Sequence, residues 1–163
     1  MSEEQIWTDV KVTDKKTGST YTLEVWPGHP HEMEAFETLR YRSQICPEAL
    51  IFADVHVKHA VPLGNWMLED AARDTLERGL ADALIVSGTG TGQATNLEDV
   101  ERVRTACPTA RILLGSGVTL GNVRNYLSLA DGFIVGSSLK KDGKLSKPVD
   151  PKRVAALARA IGQ

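Results

Sequence analysis

From about residue 49 to the end of the chain, short apolar runs alternate with amphipathic stretches in a pattern that repeats four times. Each apolar run ends in glycine, serine or polar residues, which is typical of a strand entering a loop, and the stretch after it has the spacing of a helix. The runs are ALIFADVHVKHA, DALIVSGTGTG, RILLGSG and GFIVGSS, followed in turn by LEDAARDTLERG, LEDVERVRTAC, NVRNYLSLA and PKRVAALARAIG. This alternation predicts an α/β protein whose parallel strands are joined by right-handed crossovers.

Both a (β/α) barrel and a doubly wound sheet fit this order of elements. A complete eight-unit barrel takes ~250 residues. This chain has 163 residues and shows four units. If the sheet is of the barrel type, the four units correspond to about half a barrel.

Residues that favour helix ends accompany the predicted helices. Gly79 follows the first helix at a position where a C′ glycine is favoured. Asn96 precedes the second helix as an N-cap, and Thr119 is placed to cap the third. Asp150 precedes the fourth as an N-cap, with Pro151 at the first helical position. These residues predict where the helices begin and end.

The first 45 residues follow a different pattern. WTDVKVTDKKTGSTYTLEVW alternates around Lys16-Thr17-Gly18 and predicts a β-hairpin. HEMEAFETLRYRSQI predicts a helix after the turn-forming WPGHP. No long linker separates this region from the repeats. We therefore expect a single domain over residues 1–163, in which residues 1–38 form an extension and residues 39–163 carry the βα units.

Composition and charge narrow the class of partner. The 19 basic residues are scattered and the net charge is -2, so we expect a small molecule and neither nucleic acid nor an anionic membrane surface. No apolar run approaches the ~18 residues of a membrane span, and the opening residues do not resemble a signal peptide. Cys46 and Cys107 are expected to be reduced thiols. The sequence thus predicts a cytoplasmic protein. His29 and His31 alone do not make a metal site, and no metal or cofactor is predicted.

The first apolar run carries ionisable residues on one strand face. Alternation puts Asp54, His56 and Lys58 on the same side. Because both faces of a parallel sheet are usually covered, these residues need an explanation. One is a polar site at the C-terminal end of the strand, and the other is a structural ion pair of Asp54 with Lys58 beside a hydrogen-bonded His56. The position at the strand's C-terminal end favours a site.

Three further loops combine glycine with hydroxyl residues. After the second apolar run, SGTGTG offers Ser87 and Thr89, but it lacks the third glycine of the dinucleotide fingerprint, which excludes a Rossmann site. Gly115–Gly117 and Gly136–Ser138 follow the third and fourth runs, where backbone N–H groups can approach a ligand. Two consecutive loops of this kind predict a site for a phosphate or carboxylate anion.

The chain resembles the BtpA/SgcQ family of TIM-barrel-like proteins over residues of about 39–161. The resemblance rests on ILLGSGVT with Asn122, ADGFIVGSSLKKDGK, KPVDPKRV, ADVHVKHAVPLG and RGLADALIVSGTGTG. It implies that the four units correspond to the C-terminal half of such a barrel, and that the ligand is a phosphorylated small molecule, a sugar phosphate or a nucleotide. The phosphate-binding residues that it implies are Gly115, Ser116, Gly117, Gly136, Ser137 and Ser138. Asp54, His56 and Lys58 would face the reacting group.

The chain also departs from this family. Where the family has Thr-Pro-Glu-Asn, Leu120 and Gly121 stand between Thr119 and Asn122, which weakens the start of the third helix. Residues 1 to about 38 do not resemble the family's first four units. Four right-handed units leave one sheet face and two edge strands uncovered. We therefore expect a homodimer or a higher oligomer.

Three functions follow from these observations. The first is an enzyme in which Lys58 or His56 acts in acid–base catalysis and Asp54 sets the charge of its neighbours. The second is a non-catalytic assembly factor, because the family includes proteins linked to photosystem I biogenesis. The third is a split or engineered half-barrel with a vestigial site.

Overall fold

The computed structural model describes residues 8–13, 20–25, 34–56, 67–88 and 93–162, with the first two ranges as backbone only. The chain divides into two compact units, Met1–Ala49 and Leu50–Gln163. The expectation of a single domain over residues 1–163 stays a prediction.

The N-terminal unit contains a β-hairpin and a helix. β1 (Thr8–Thr13) pairs antiparallel with β2 (Thr20–Val25). α1 spans Glu34–Ile45. Both predicted elements are confirmed, and the turn at Lys16-Thr17-Gly18 lies outside the described residues.

The C-terminal unit is built on a four-stranded parallel sheet. Its strands and α-helices are β3 (Phe52–Asp54), α2 (Leu68–Glu77), β4 (Ala83–Val86), α3 (Leu97–Ala106), β5 (Ile112–Leu114), β6 (Gly132–Phe133) and α4 (Pro151–Ala160). The strand order is β3-β4-β5-β6, so each strand neighbours the next one along the chain. A doubly wound sheet would reverse its order at one point, whereas a barrel keeps it. The prediction of four parallel βα units of the barrel type is confirmed.

The two faces of this sheet differ in burial. Leu84 and Ile112 are fully buried and belong to one core with side chains of α2, α3 and α4. On the opposite face Phe52 and Asp54 are exposed, while Ala53 between them turns towards the core. The alternation predicted for the first strand is therefore confirmed. The helices cover one face, as crossovers of a single hand require.

Most of the predicted helix ends are confirmed. Asn96 Oδ1 accepts a hydrogen bond from the Glu98 N–H at 3.1 Å, and Asp150 Oδ1 accepts one from the Lys152 N–H at 2.9 Å. Gly79 occupies the C′ position of α2. These local signals could be recognised in the sequence because a cap acts within a few residues of its own position.

The third predicted helix is reduced to one 3₁₀ turn, Val123–Tyr126. Thr119 does not cap it, so that prediction is wrong. The Thr119 N–H instead donates to Asn122 Oδ1 at 2.8 Å, and Asn122 Nδ2 donates to the Gly117 carbonyl at 2.9 Å. The amide side chain of Asn122 thus closes the loop around Leu120-Gly121, where a proline and an acidic residue would have favoured a helical first turn.

A bidentate ion pair joins α2 to α3. Arg102 donates from Nε to Glu69 Oε1 at 2.6 Å and from Nη2 to Glu69 Oε2 at 2.8 Å. These hydrogen bonds, more than the charge alone, lower the pKa of Glu69 to about 2. Parallel N–H donors of this kind fix the orientation of both partners. The pair therefore sets how the two helices lie against each other.

Acid should destabilise the protein in part through Glu69. A carboxylate whose pKa is depressed in the folded state stabilises fully above its ordinary value of 4.5 and loses this contribution as the pH falls towards 2. We expect the melting temperature of the wild type to fall more steeply over this range than that of Glu69→Gln. Glu101→Gln, which alters an exposed glutamate of α3, is the control. Parallel curves for wild type and Glu69→Gln would show that the pair contributes nothing to stability.

Candidate functional site

Polar side chains meet at the C-terminal ends of β3 and β4. Ser87, directly after β4, donates its hydroxyl hydrogen to Asp54 Oδ1 at 3.0 Å. Gly115, directly after β5, makes room for this pair, because a Cβ on Gly115 would overlap Ser87 Oγ and come within 2.7 Å of Ile85 Cγ2. The structure thus brings two predicted site residues together. It also explains by close packing why a glycine is needed at position 115.

His56 lies two residues beyond Asp54, after the end of β3. The residue is half-buried, and its Nε2 atom is buried without a hydrogen-bond partner in the described part of the chain. A buried ring nitrogen without a partner carries a desolvation penalty that a ligand or a water can remove. Lys58 and Thr89, the other two residues predicted near this point, lie outside the described residues.

The Ser116 hydroxyl is engaged inside the protein. It accepts a hydrogen bond from the Gly88 N–H at 2.8 Å and donates to the Gln93 carbonyl at 3.2 Å. Thr95 donates to the Ser116 carbonyl at 3.3 Å, and Tyr126 donates to the Thr95 carbonyl at 2.7 Å. This buried network fastens the loop after β4 to the loop after β5. The Ser116 hydroxyl therefore positions these two loops, and its contact with an anion stays a prediction.

Gly117 packs against the backbone of the same neighbouring loop. Its φ of 68° is left-handed, and a Cβ there would overlap Gln93 and Ala94. The close approach that the sequence suggested for a ligand is made by residues 93–94 of the chain itself.

The loop after β6 is arranged differently. No atom of the described residues lies within 4 Å of the position that a Cβ on Gly136 would take. Ser138 donates its hydroxyl hydrogen to the Val118 carbonyl at 2.6 Å, so the two predicted glycine loops do meet. Ser137 is half-buried, and its hydroxyl forms no hydrogen bond with another described residue. Of the two loops, this one offers the more open polar groups.

A cleft of about 670 Å³ opens between these loops and α4, and we call it the Ser137 cleft. Its lining residues are Thr119, Leu120, Gly121, Ser137, Ser138, Leu139, Gly143, Lys152, Arg153, Ala156 and Leu157. Arg153 donates from Nη1 to the Ser138 carbonyl at 3.1 Å, which holds its guanidinium at the cleft wall.

The sequence analysis missed Lys152 and Arg153, although a signal was present. α2 and α3 carry acidic residues in their first turns, as the helix dipole favours, whereas α4 carries these two cations there. Residues 140–153 also hold six basic and two acidic residues. The basic residues are therefore less evenly scattered than the whole-chain count suggested.

No group of three or more His, Cys, Asp and Glu side chains is placed to hold a metal ion among the described residues, and His29 and His31 lie outside them. None of the helices within the described ranges is long and apolar enough to cross a membrane. Cys46 and Cys107 are free thiols, and burial raises the pKa of Cys107.

Sequential parallel strands, helices on one face and polar groups at the C-terminal strand ends define a barrel-type α/β protein, with a cleft beside the loops after β5 and β6. Residues 27–163 match the BtpA family, and the chain belongs to that family. The predicted resemblance is confirmed, and the matched region begins before the expected boundary at about residue 39.

Relatives with known sequences extend beyond the matched region. Photosystem I biogenesis protein BtpA of Synechocystis is 44% identical over 132 residues, which are 81% of this chain and 46% of that protein. An uncharacterized protein of Pyrococcus furiosus is 46% identical over 112 residues, 69% of this chain and 42% of its own. Putative sgc region protein SgcQ of Escherichia coli is 33% identical over 126 residues, which are 77% of this chain and 47% of that protein. The chain spans about half the length of the curated relatives it matches.

Among solved structures, the YdjI aldolase of Escherichia coli K12 is similar to this chain at a TM-score of 0.45 and 20% sequence identity. The similarity covers 78% of this chain and 48% of the aldolase.

Proposed function

We propose that the chain binds a phosphorylated small molecule in the Ser137 cleft. The observation that carries this proposal is that the Ser137 hydroxyl and the cations Lys152 and Arg153 line the same cleft. An arginine can donate two parallel N–H groups to a phosphate, and a serine hydroxyl can add a third donor. Three donors of this kind suit a phosphate dianion.

Local charge supports an anionic ligand. The whole chain has a net charge of -2, yet residues 140–153 hold six basic and two acidic residues. The Lys141 N–H donates to the Pro148 carbonyl at 3.0 Å, and the Asp150 N–H donates to the Leu139 carbonyl at 2.8 Å. The segment is therefore folded back beside the cleft, where its charge raises the local concentration of anions.

The size and lining of the cleft suit a phosphate ester. A volume of about 670 Å³ falls within the ~300–1,000 Å³ of small-molecule sites. Leu120, Leu139 and Leu157 line the cleft beside the polar groups. These side chains would contact the organic part of a sugar phosphate or nucleotide while the donors hold its phosphate.

Phosphate should stabilise the protein through this cleft. Ligand at a hundredfold excess over its dissociation constant adds about 2.7 kcal/mol to the free energy of unfolding. We expect inorganic phosphate to raise the melting temperature in a concentration-dependent way at constant ionic strength. Ser137→Glu should abolish this rise, because its carboxylate would occupy the phosphate position with like charge.

Ser128→Glu is the matched control, because it makes the same change at an exposed serine outside the cleft lining. It should leave the phosphate effect intact. An undiminished rise in Ser137→Glu would place phosphate elsewhere. The absence of any rise in the wild type would remove the proposed function.

In this proposal, Asp54 and His56 supply acid–base groups. The hydrogen bond from Ser87 fixes the Asp54 carboxylate, and the unpartnered His56 Nε2 can take or give a proton. They follow the C-terminal end of β3, and the loops of the Ser137 cleft begin at this same end of the parallel sheet.

A second candidate function is that of a non-catalytic assembly factor. The 44% identity to the photosystem I biogenesis protein of Synechocystis favours it. Restoration of photosystem I content in a cyanobacterium lacking that protein would test it. An assembly factor should still restore photosystem I when it carries Ser137→Glu, whereas a function that depends on the phosphate ligand should be lost.

A further inference from the structure

Among the described residues, the sheet face opposite the helices carries apolar side chains that are at least partly exposed. Phe52 and Ile134 are 51% and 48% exposed. Ile85 pairs with Asp54 and with Leu113, so all three side chains point to this same face. Ile85 and Leu113 are half-buried. We call Phe52, Ile85, Leu113 and Ile134 the open sheet face.

Both edges of this sheet are also unpaired among the described residues. β3 and β6 each have one neighbouring strand, and all four strands run in the same direction. Unpaired edge N–H and C=O groups are a template for a further strand. A strand that continues this parallel sheet beside β6 runs in the same direction as β6. β3 of another copy of the chain can take that place.

We propose that two copies of this chain close one eight-stranded barrel, with β6 of each beside β3 of the other. A two-fold axis along the barrel axis, to which the strands are tilted, generates two identical seams and leaves no edge. The two open sheet faces then form a common interior. The length of the relatives fits this arrangement, because the matched region makes up 46% of the Synechocystis protein and the rest could supply a comparable half.

The dimer would also complete the site. Asp54 ends β3 and Gly136 follows β6, so within one chain they lie at opposite edges of the sheet, three strand spacings or roughly 14 Å apart. Across a seam the C-terminal end of β6 lies directly beside that of the partner's β3. Each Ser137 cleft would then face Asp54 of the partner subunit. This composite site rests on the proposed phosphate function, whereas the dimer rests on the sheet alone.

Sedimentation equilibrium tests the dimer. The wild type should have twice the 17.7 kDa mass of one chain. Ile134→Glu and Phe52→Glu should halve this mass with an unchanged circular dichroism spectrum, because each places charge in the common interior. Leu97→Glu, on the helix side at the start of α3, should remain dimeric. A monomeric wild type at micromolar concentration would overturn the proposal.

Cross-linking tests the seam. Two variants are prepared, each of which also carries Cys46→Ser: one has Asp54→Cys and the other Ser137→Cys. A short bis-maleimide is added to each variant alone and to a mixture of the two that has been unfolded and refolded together. Covalent dimers should form in the mixture and at most weakly in either variant alone. Equal cross-linking in all three samples would overturn the β6-to-β3 arrangement. If the protein is a dimer but phosphate does not stabilise it, only the proposed function is contradicted. If it binds phosphate as a monomer, only the proposed dimer is contradicted.

Discussion

Gly117→Ala is expected to destabilise the C-terminal unit by about 3 kcal/mol or more, one of the largest effects of any single substitution in this chain. The φ of 68° already disfavours a side chain. The added methyl group would also overlap the backbone of Gln93 and Ala94. Backbone atoms cannot rotate away as a side chain can, so the loops after β4 and β5 would have to separate.

Separation of these loops would also break hydrogen bonds. The Ser116 hydroxyl bridges the Gly88 N–H and the Gln93 carbonyl in the same contact. Groups left buried without partners would add to the steric cost. Urea unfolding, followed by circular dichroism in phosphate-free buffer, measures the change in the free energy of unfolding.

Gly136→Ala is the matched control. Gly136 also follows a strand in a glycine-rich loop, but its φ is -118° and no atom of the described residues lies within 4 Å of the added methyl position. We expect a change within about 0.5 kcal/mol. Equal effects of the two substitutions would mean that the loops after β4 and β5 are not packed together as described.

These two glycines show how far the sequence alone could lead. Gly-Ser-Gly after an apolar run suggested that a ligand lies against bare backbone. It could not indicate that residues 93–94 of the chain fill this space, because that contact joins two loops 23 residues apart and leaves no local pattern. Gly136 also follows an apolar run, yet no atom of the described residues lies within 4 Å of the position of an added Cβ.

The elements themselves were predictable because their signals are local. Strand alternation placed Asp54 on the open face, and Asn96 and Asp150 marked helix starts. The third helix was harder, because Asn122 competes for the loop's backbone groups and leaves a 3₁₀ turn. Long-range partners such as Ser87 for Asp54 depend on strand register, which the pattern of one strand does not determine.

The other substitution with a large expected effect is Arg104→Ala. Arg104 in α3 donates from Nε to the Leu129 carbonyl at 3.0 Å and from Nη1 to the Ala110 carbonyl at 2.8 Å. Its Nη2 donates to Asp131 Oδ2 at 2.6 Å. One guanidinium therefore ties the helix to the segments that enter β5 and β6. We expect a loss of about 2–4 kcal/mol, because several acceptors lose their donor at once.

The loss of stability expected for Arg104→Ala should be accompanied by a change in the pKa of Asp131, which NMR can measure. Burial by itself raises the pKa of this carboxyl, but the Ile112 N–H and the Arg104 guanidinium outweigh it and lower the pKa below 3.8. Without Arg104 the NMR-detected pKa of Asp131 should rise. Stability should then be lost at a higher pH as acid is added, because the carboxylate protonates earlier.

Two variants separate the planar hydrogen-bonding geometry from the charge. Arg104→Lys keeps the charge but cannot reach several acceptors in one plane, so it should recover less than half of the loss. Arg124→Ala removes an exposed arginine from the 3₁₀ turn and should change stability by no more than about 0.5 kcal/mol. Full recovery by lysine would show that charge alone stabilises this junction. Core packing, and not the hydrogen bonds of the guanidinium, would then position β5 and β6.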